Sequence, residues 1–279
     1  MPIHDQGYRR YGGRRRPIGT AWWVIARQQM RAILSQKRYL GLLLLAWIPF
    51  VARVVQIYLA ANFQQASFLA TSAQLFRGFL DQQSLFVFLL IVGAAGAIAD
   101  DRRANALQVY LSKPLTRVEY IAGKLFAPLA FVLGITLLPA VLLLAVHVAF
   151  SGSLTFVAQN LYLLPAIVFY SVVLALLGTF TMVALSSLSK SRRFTALTFT
   201  GVFFFTTAMY QALQRITGSR LWALLSPRDL LDVIGDAAFR TPGPRAVPVW
   251  AALLAVAAMI GVSILVLERR VRGVEVVGS

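Results

Sequence analysis

Residues Ile98 to Leu125 read IADDRRANALQVYLSKPLTRVEYIAGKL, the one interval where a greasy chain turns strongly polar and then greasy again. Wound as a helix from Asp101 to Lys113, it places Ala104, Leu107, Tyr110 and Leu111 on one side and Asp101, Asn105, Gln108 and Ser112 on the other. Such a helix is too short to cross a bilayer. Its first turn holds Asp100 and Asp101, where the helix dipole favours negative charge, and Pro114 stops it. Because an apolar run resumes within a few residues, the interval is expected at a membrane surface, between two spanning helices.

Outward from that stretch the composition is that of an integral membrane protein. Of 279 residues 58% are hydrophobic, and the mean hydropathy is +0.71, well above that of a soluble domain. Cysteine is absent, which excludes disulfides and thiolate metal sites, and His4 and His147 cannot form a multi-histidine centre. A net charge of +17 would suit nucleic acid, but the charges flank apolar runs, which argues for lipid instead. Those runs are Leu40 to Asn62, Gln82 to Ala99, Tyr120 to Phe150, Leu161 to Leu188, Phe194 to Leu213 and Val249 to Leu267. Each approaches or exceeds the ~20 residues that a crossing needs. Six crossings put both ends on one side. All the Lys and Arg residues except Arg53, Arg77, Arg215, Arg220, Arg228, Arg240 and Arg245 then fall on that side, which the positive-inside rule makes cytoplasmic.

The central interval also resembles a known family. An acidic residue after an apolar span is followed by a short helix ending in two bulky residues, then Pro, a small aliphatic residue, Ser or Thr, Arg, an aromatic and Gly-Lys. That order is similar to the signature of ABC type 2 transporter permeases, and here it is Asp101, Tyr110-Leu111, Pro114-Leu115-Thr116-Arg117, Tyr120 and Gly123-Lys124. The family commonly has Glu first and Gly-Thr before the apolar pair, where this chain has Asp101 and Asn105-Ala106. The resemblance implies an all-α integral membrane protein with six transmembrane helices, an N-terminal interfacial elbow helix and a cytoplasmic coupling helix. It also implies paired permeases, as a homodimer or with a paralogue, and a separate ATPase subunit that binds ATP and Mg. In that arrangement Asp101, Asn105, Leu107, Tyr110 and Leu111 form the ATPase-docking surface, and Pro114, Arg117 and Lys124 fix the entry into the third span.

Around the spans, residues 1–20 carry Arg9, Arg10, Arg14, Arg15 and Arg16 among glycines and read as a disordered, topology-setting cytoplasmic arm or as a binder of anionic headgroups. From Ala21 to Arg38 a helix puts Trp22, Trp23, Ala26, Met30, Ile33 and Leu34 on one arc. Tryptophans at headgroup depth suit an interfacial helix, the elbow of the resemblance; the alternative is an amphipathic helix packed on protein. The six-span domain then occupies 39–272, with the coupling helix at about 101–113 and an outer amphipathic segment at about 216–247. Arg53 in the first span either snorkels to the outer headgroups or faces a polar cavity, where it would contact an anionic substrate. The run GAAGAIA at the end of the second span permits close helix approach, within the chain or at a dimer seam. Pro128 and Pro139 are expected to kink the third span, and His147 near its outer end reads as an interface residue. The SKSRR turn between the fourth and fifth spans reads as a topology signal. Beyond the fifth span Ser226 can cap a helix with Pro227 in its first turn, on which Asp229, Asp232 and Asp236 share a face. A solvated face suits them better than a calcium site, because no loop glycines accompany them.

No engine is encoded. The only Gly-Lys pair, Gly123-Lys124, is followed by Leu125, and the position five before Gly123 is Val118, so no P-loop exists. Asp100 and Asp101 point about 100° apart on a helix, poor geometry for a shared proton or metal. A membrane-embedded transferase would need a catalytic constellation at a span end, and none is present. The remaining readings are the permease subunit of an ATP-driven exporter, or a membrane scaffold that engages the same ATPase without moving a solute.

Overall fold

The computed structural model describes residues 19–63, 73–106, 115–151, 154–242 and 246–271. Among them every regular element is helical, and six helical stretches are long and apolar enough to cross a membrane. They are Lys37–Asn62, Gln74–Arg103, Arg117–Phe150, Leu163–Leu188, Arg192–Thr217 and Val249–Arg270, called spans 1 to 6 below. The protein is thus an all-α membrane protein, as the apolar runs predict.

Span 4 is one unbroken helix, α9 (Leu163–Leu188), and it forms the centre of the bundle, packing against spans 2, 3, 5 and 6. Span 5 (α10, Arg192–Thr217) and span 1 lie outermost, each with most of its apolar surface uncovered. Span 6 is α12 (Val249–Arg270). The first three spans are each broken once. Span 1 divides into α2 (Lys37–Leu45) and α3 (Ile48–Asn62), with Pro49 in the first turn of α3, where its missing N–H costs no helical bond.

Span 2 divides into α4 (Ala73–Gly93) and α5 (Gly96–Arg103) within the small-residue run. An interrupted helix in an apolar environment needs substitute partners for its freed backbone groups. Ser186 of span 4 supplies them: its Oγ donates to the Ala95 carbonyl at 2.7 Å and accepts from the Ile98 and Ala99 amides at 3.0 and 2.9 Å. Within the chain the run also permits close approach, since a Cβ at Gly93 would lie 2.5 Å from Tyr39 Cε2. Span 2 also starts about two turns earlier than Gln82, because Arg77 and Asp81, which look like loop charges, lie one turn apart on α4 and neutralise each other.

Span 3 divides into α6 (Arg117–Ile135) and α7 (Leu137–Ser151), the latter followed by the short α8 (Thr155–Gln159). The break lies at Thr136, three residues before Pro139, as expected when a proline ring crowds the carbonyl one turn back and cannot donate to it. Pro128 is accommodated within α6 without a break. After span 5, Gly218 at φ +68° ends α10 in the left-handed conformation. A 3-10 turn (Arg220–Leu225) then leads to Ser226, which caps α11 (Pro227–Ala238) by accepting from the Asp229 amide at 3.4 Å.

The N-terminal helix α1 (Ala21–Leu34) lies along the first half of α6. Trp22 and Trp23 both meet the edge of Phe126 with ring centres 5.6 Å apart, and Gln29 donates to the Lys124 carbonyl at 3.1 Å. The seat is Gly123: a Cβ there would lie 2.7 Å from the Trp22 carbonyl oxygen and 2.8 Å from Ile25 Cβ. Gly123→Val is therefore expected to push α1 off α6 and to cost about 1–3 kcal/mol by overpacking, read as a lower midpoint of thermal unfolding in detergent.

Candidate functional site

Each end of span 2 takes part in a buried ion pair: Asp101 at one end receives Lys124 of span 3, and Arg77 at the other gathers three carboxylates. At the end that leads to span 3, α5 runs through Asp100 and Asp101 and stops at Arg103, with Asn105 in the left-handed region at φ +52°. Asp101, expected to open a new helix, lies instead within α5, because the span continues past its last apolar residue. Asp100 faces outward and Asp101 inward. Asp101 Oδ2 accepts from the Tyr120 hydroxyl at 2.6 Å and pairs with Lys124 Nζ at 2.6 Å.

Tyr120 and Lys124 are one turn apart on α6, so one carboxylate reaches both. Tyr120 is fully buried and Lys124 is 8% exposed, with its ammonium 5.6 Å from the Tyr120 ring centre. A pair this deeply desolvated is tolerated when its geometry is good and its remaining hydrogen-bonding capacity is met. The start of α6 is fixed again by a capping box: Thr116 Oγ1 accepts from the Glu119 amide at 3.2 Å, and Glu119 Oε2 accepts from the Thr116 amide at 2.9 Å. Arg102 donates to the Ser187 carbonyl and Arg192 to the Gly93 carbonyl, tying the turn between spans 4 and 5 to span 2.

Of the residues that the sequence singles out for docking and entry, Asp101 and Lys124 are brought together, Arg117 opens α6 and is exposed, and Asn105 is exposed at the end of α5. Leu107, Tyr110, Leu111 and Pro114 lie outside the described residues. Tyr120 and Glu119 were not marked as site residues by sequence reasoning. For Glu119 a signal exists, since Thr116-Arg117-Val118-Glu119 has the spacing of a capping box.

At the opposite end of span 2 Arg77 is 6% exposed and its guanidinium is spoken for on every side. It pairs with Asp81 through Nη1, with Asp232 through Nη2 at 3.1 Å and with Asp236 through Nε at 3.1 Å, and it lies 5.2 Å from the Tyr170 ring centre. Gly235 makes room for it, since a Cβ at that position would lie 2.7 Å from Arg77 Nε. The aspartate face of α11, read from the sequence as merely solvated, is thus the contact that holds α11 to span 2. Burial pushes the Asp232 carboxyl above the usual carboxylate range, with Arg77 pulling against that rise.

Beneath this network a cavity of about 760 Å3 opens among spans 2, 4 and 5 and α11. Arg77, Asp81, Asp232 and Asp236 line its charged end, while Phe88, Phe199, Phe203 and Phe204 wall its body. Arg53 does not line it; the Arg53 guanidinium donates to Gln56 at 2.7 Å.

Five spans around a central sixth, an internal cavity with a charged end and charge clusters at both ends of one span define a multi-pass membrane protein. The family model described as ABC-2 family transporter protein matches residues 23–271, nearly the whole chain, so the chain belongs to that family and is an ABC-2 type permease. Comparison with curated proteins gives no match.

Lys124→Met strands a buried carboxylate and is expected to cost about 3–5 kcal/mol of stability, whereas adding Asp101→Leu recovers most of it; thermal unfolding of the parent and the two variants in one detergent measures this. Arg77→Met should free α11, so that trypsin cleaves at Arg228 and Arg240 faster than in the parent, read as the rate of fragment appearance on gels.

Proposed function

We propose that the chain is the permease subunit of an ATP-driven exporter, which forms the translocation path and takes its motion from a separate ATPase subunit through the connection between spans 2 and 3. The observation that carries this reading is the Asp101–Tyr120–Lys124 cluster. It joins the last turns of span 2 to the first turns of span 3, so a force applied to the connection moves both spans together rather than being absorbed by a slack loop. The docking residues carried over from the family resemblance, Asp101, Asn105, Leu107, Tyr110 and Leu111, belong to that connection. Asp101 contributes by anchoring its base.

The basic residues near α1, Arg103, Arg192 and Arg270 gather at the end of the bundle that holds this connection, which by the positive-inside rule faces the cytoplasm of a cell membrane. There α1, with its paired tryptophans, serves as the interfacial elbow. The uncovered faces of spans 1 and 5 suit a second permease, either another copy or a paralogue. ATP and Mg would then be bound by the partner subunit, whose hydrolysis this chain does not perform.

Replacing Tyr110 and Leu111 together by Asp is expected to leave the protein in the membrane while abolishing both co-purification of the ATPase subunit and stimulation of its hydrolysis. Unchanged stimulation would overturn the docking role, and ATP turnover in liposomes that moves no solute would favour a scaffold.

A further inference from the structure

We infer that the cavity under Arg77 selects an amphipathic organic cation, a single positive charge on a drug-sized aromatic or apolar body. The size fits: about 760 Å3 lies within the range of cavities that enclose small molecules. So does the shape of its chemistry. The lining runs from Arg77 to Ile91 on α4, roughly 20 Å by the helical rise. Over that length it changes from charged to mainly apolar, with Ser84 and Thr181 as uncharged polar residues and Phe88, Phe199, Phe203 and Phe204 as the wall. A ligand that fills it carries its charge at one end and an apolar or aromatic body along the rest.

The sign of the polar end follows from the count of charges. Asp81, Asp232 and Asp236 line the cavity against Arg77 and Arg228, which leaves an excess of one carboxylate. Arg77 engages the Oδ1 atom of each aspartate, and the three side chains are 48%, 48% and 40% exposed, so each keeps a second oxygen and open surface. Arg77 itself is 7% exposed in its side chain and is directed at carboxylates and at Tyr170, which leaves it little capacity to receive an anion. A cation entering the charged end meets half-solvated carboxylates and aromatic rings, both of which attract it. An anion meets like charge. The elevated proton affinity of Asp232 adds that acidification removes one of these charges and so weakens capture.

This substrate class rests on the reading of the cavity as part of the translocation path, although the charge preference of the cavity can be measured without transport. The probes are tetraphenylphosphonium and tetraphenylborate, ions of nearly one shape and opposite sign. Binding to the purified full-length protein in nanodiscs of uncharged lipid is measured by equilibrium dialysis, with empty discs subtracted. Saturable binding of the phosphonium, at least about tenfold tighter than the borate, is expected, as is a severalfold loss with Asp81→Asn and with Phe203→Ala. Equal or tighter borate binding by the parent protein would overturn the inference, and so would phosphonium binding that neither substitution alters; the first comparison needs no variant to fold. Because no ATPase is present, failure of this test leaves the permease reading intact, while phosphonium binding that ATP turnover never converts to movement would sink the exporter reading and spare the site.

Discussion

Lys124 is a full positive charge placed in an apolar helix where water scarcely reaches, and the fold can hold it only because Asp101 is brought to within 2.6 Å. That requirement fixes much else. Span 2 must continue as helix past Ala99 to carry Asp101 inward, span 3 must present Tyr120 and Lys124 on the same face, and α6 must begin at a set register, which the Thr116–Glu119 box provides. The carbonyl of the same lysine receives Gln29, so α1 is placed by the same residue that closes the ion pair. Charge burial here acts as a locating constraint: few arrangements of these helices satisfy the pair, and those that do not leave a bare charge in a medium that cannot solvate it.

The opposite end of span 2 obeys the same rule with the signs rearranged. One guanidinium gathers three carboxylates from two elements far apart in sequence, and α11, which is too short and too polar to cross the membrane, is thereby drawn onto the bundle. Its apolar face, with Leu230, Leu231, Val233 and Ile234 buried, completes the attachment. A single span thus joins the two ends of the bundle through ionic contacts, with the aromatic chamber alongside the half that carries Arg77.

The fold was legible in the sequence to the degree that hydropathy decides it. Apolar runs of membrane length gave all six spans, and Ser226-Pro227 marked the start of α11, because capping depends on neighbouring residues alone. What escaped depends on partners distant in the chain. Arg77 and the aspartates of α11 are separated by more than 150 residues, so each looks like an ordinary solvated charge until they meet. Arg192 was read as a topology signal, and it is also a donor to the Gly93 carbonyl. The two-faced pattern after Asp101 suggested a fresh helix there, whereas the side-chain bond from Tyr120 and the ion pair with Lys124 keep Asp101 inside the preceding one. The Gly-Lys pair was visible from the start, but the residue that its lysine seeks could be named only in three dimensions.

The interruption at Thr136 gives span 3 two limbs with different allegiances. The first limb, α6, is bound to α1 and to the end of span 2, and the second limb, α7, packs against α3 of span 1. Where a helix loses a rung of its hydrogen-bonded ladder its bending stiffness is lowest, so a twist imposed on α6 is not delivered whole to α7. Span 3 therefore divides its loyalties about the Thr136 break, one limb serving the junction with span 2 and the other giving span 1 its seat, while both rest on span 4.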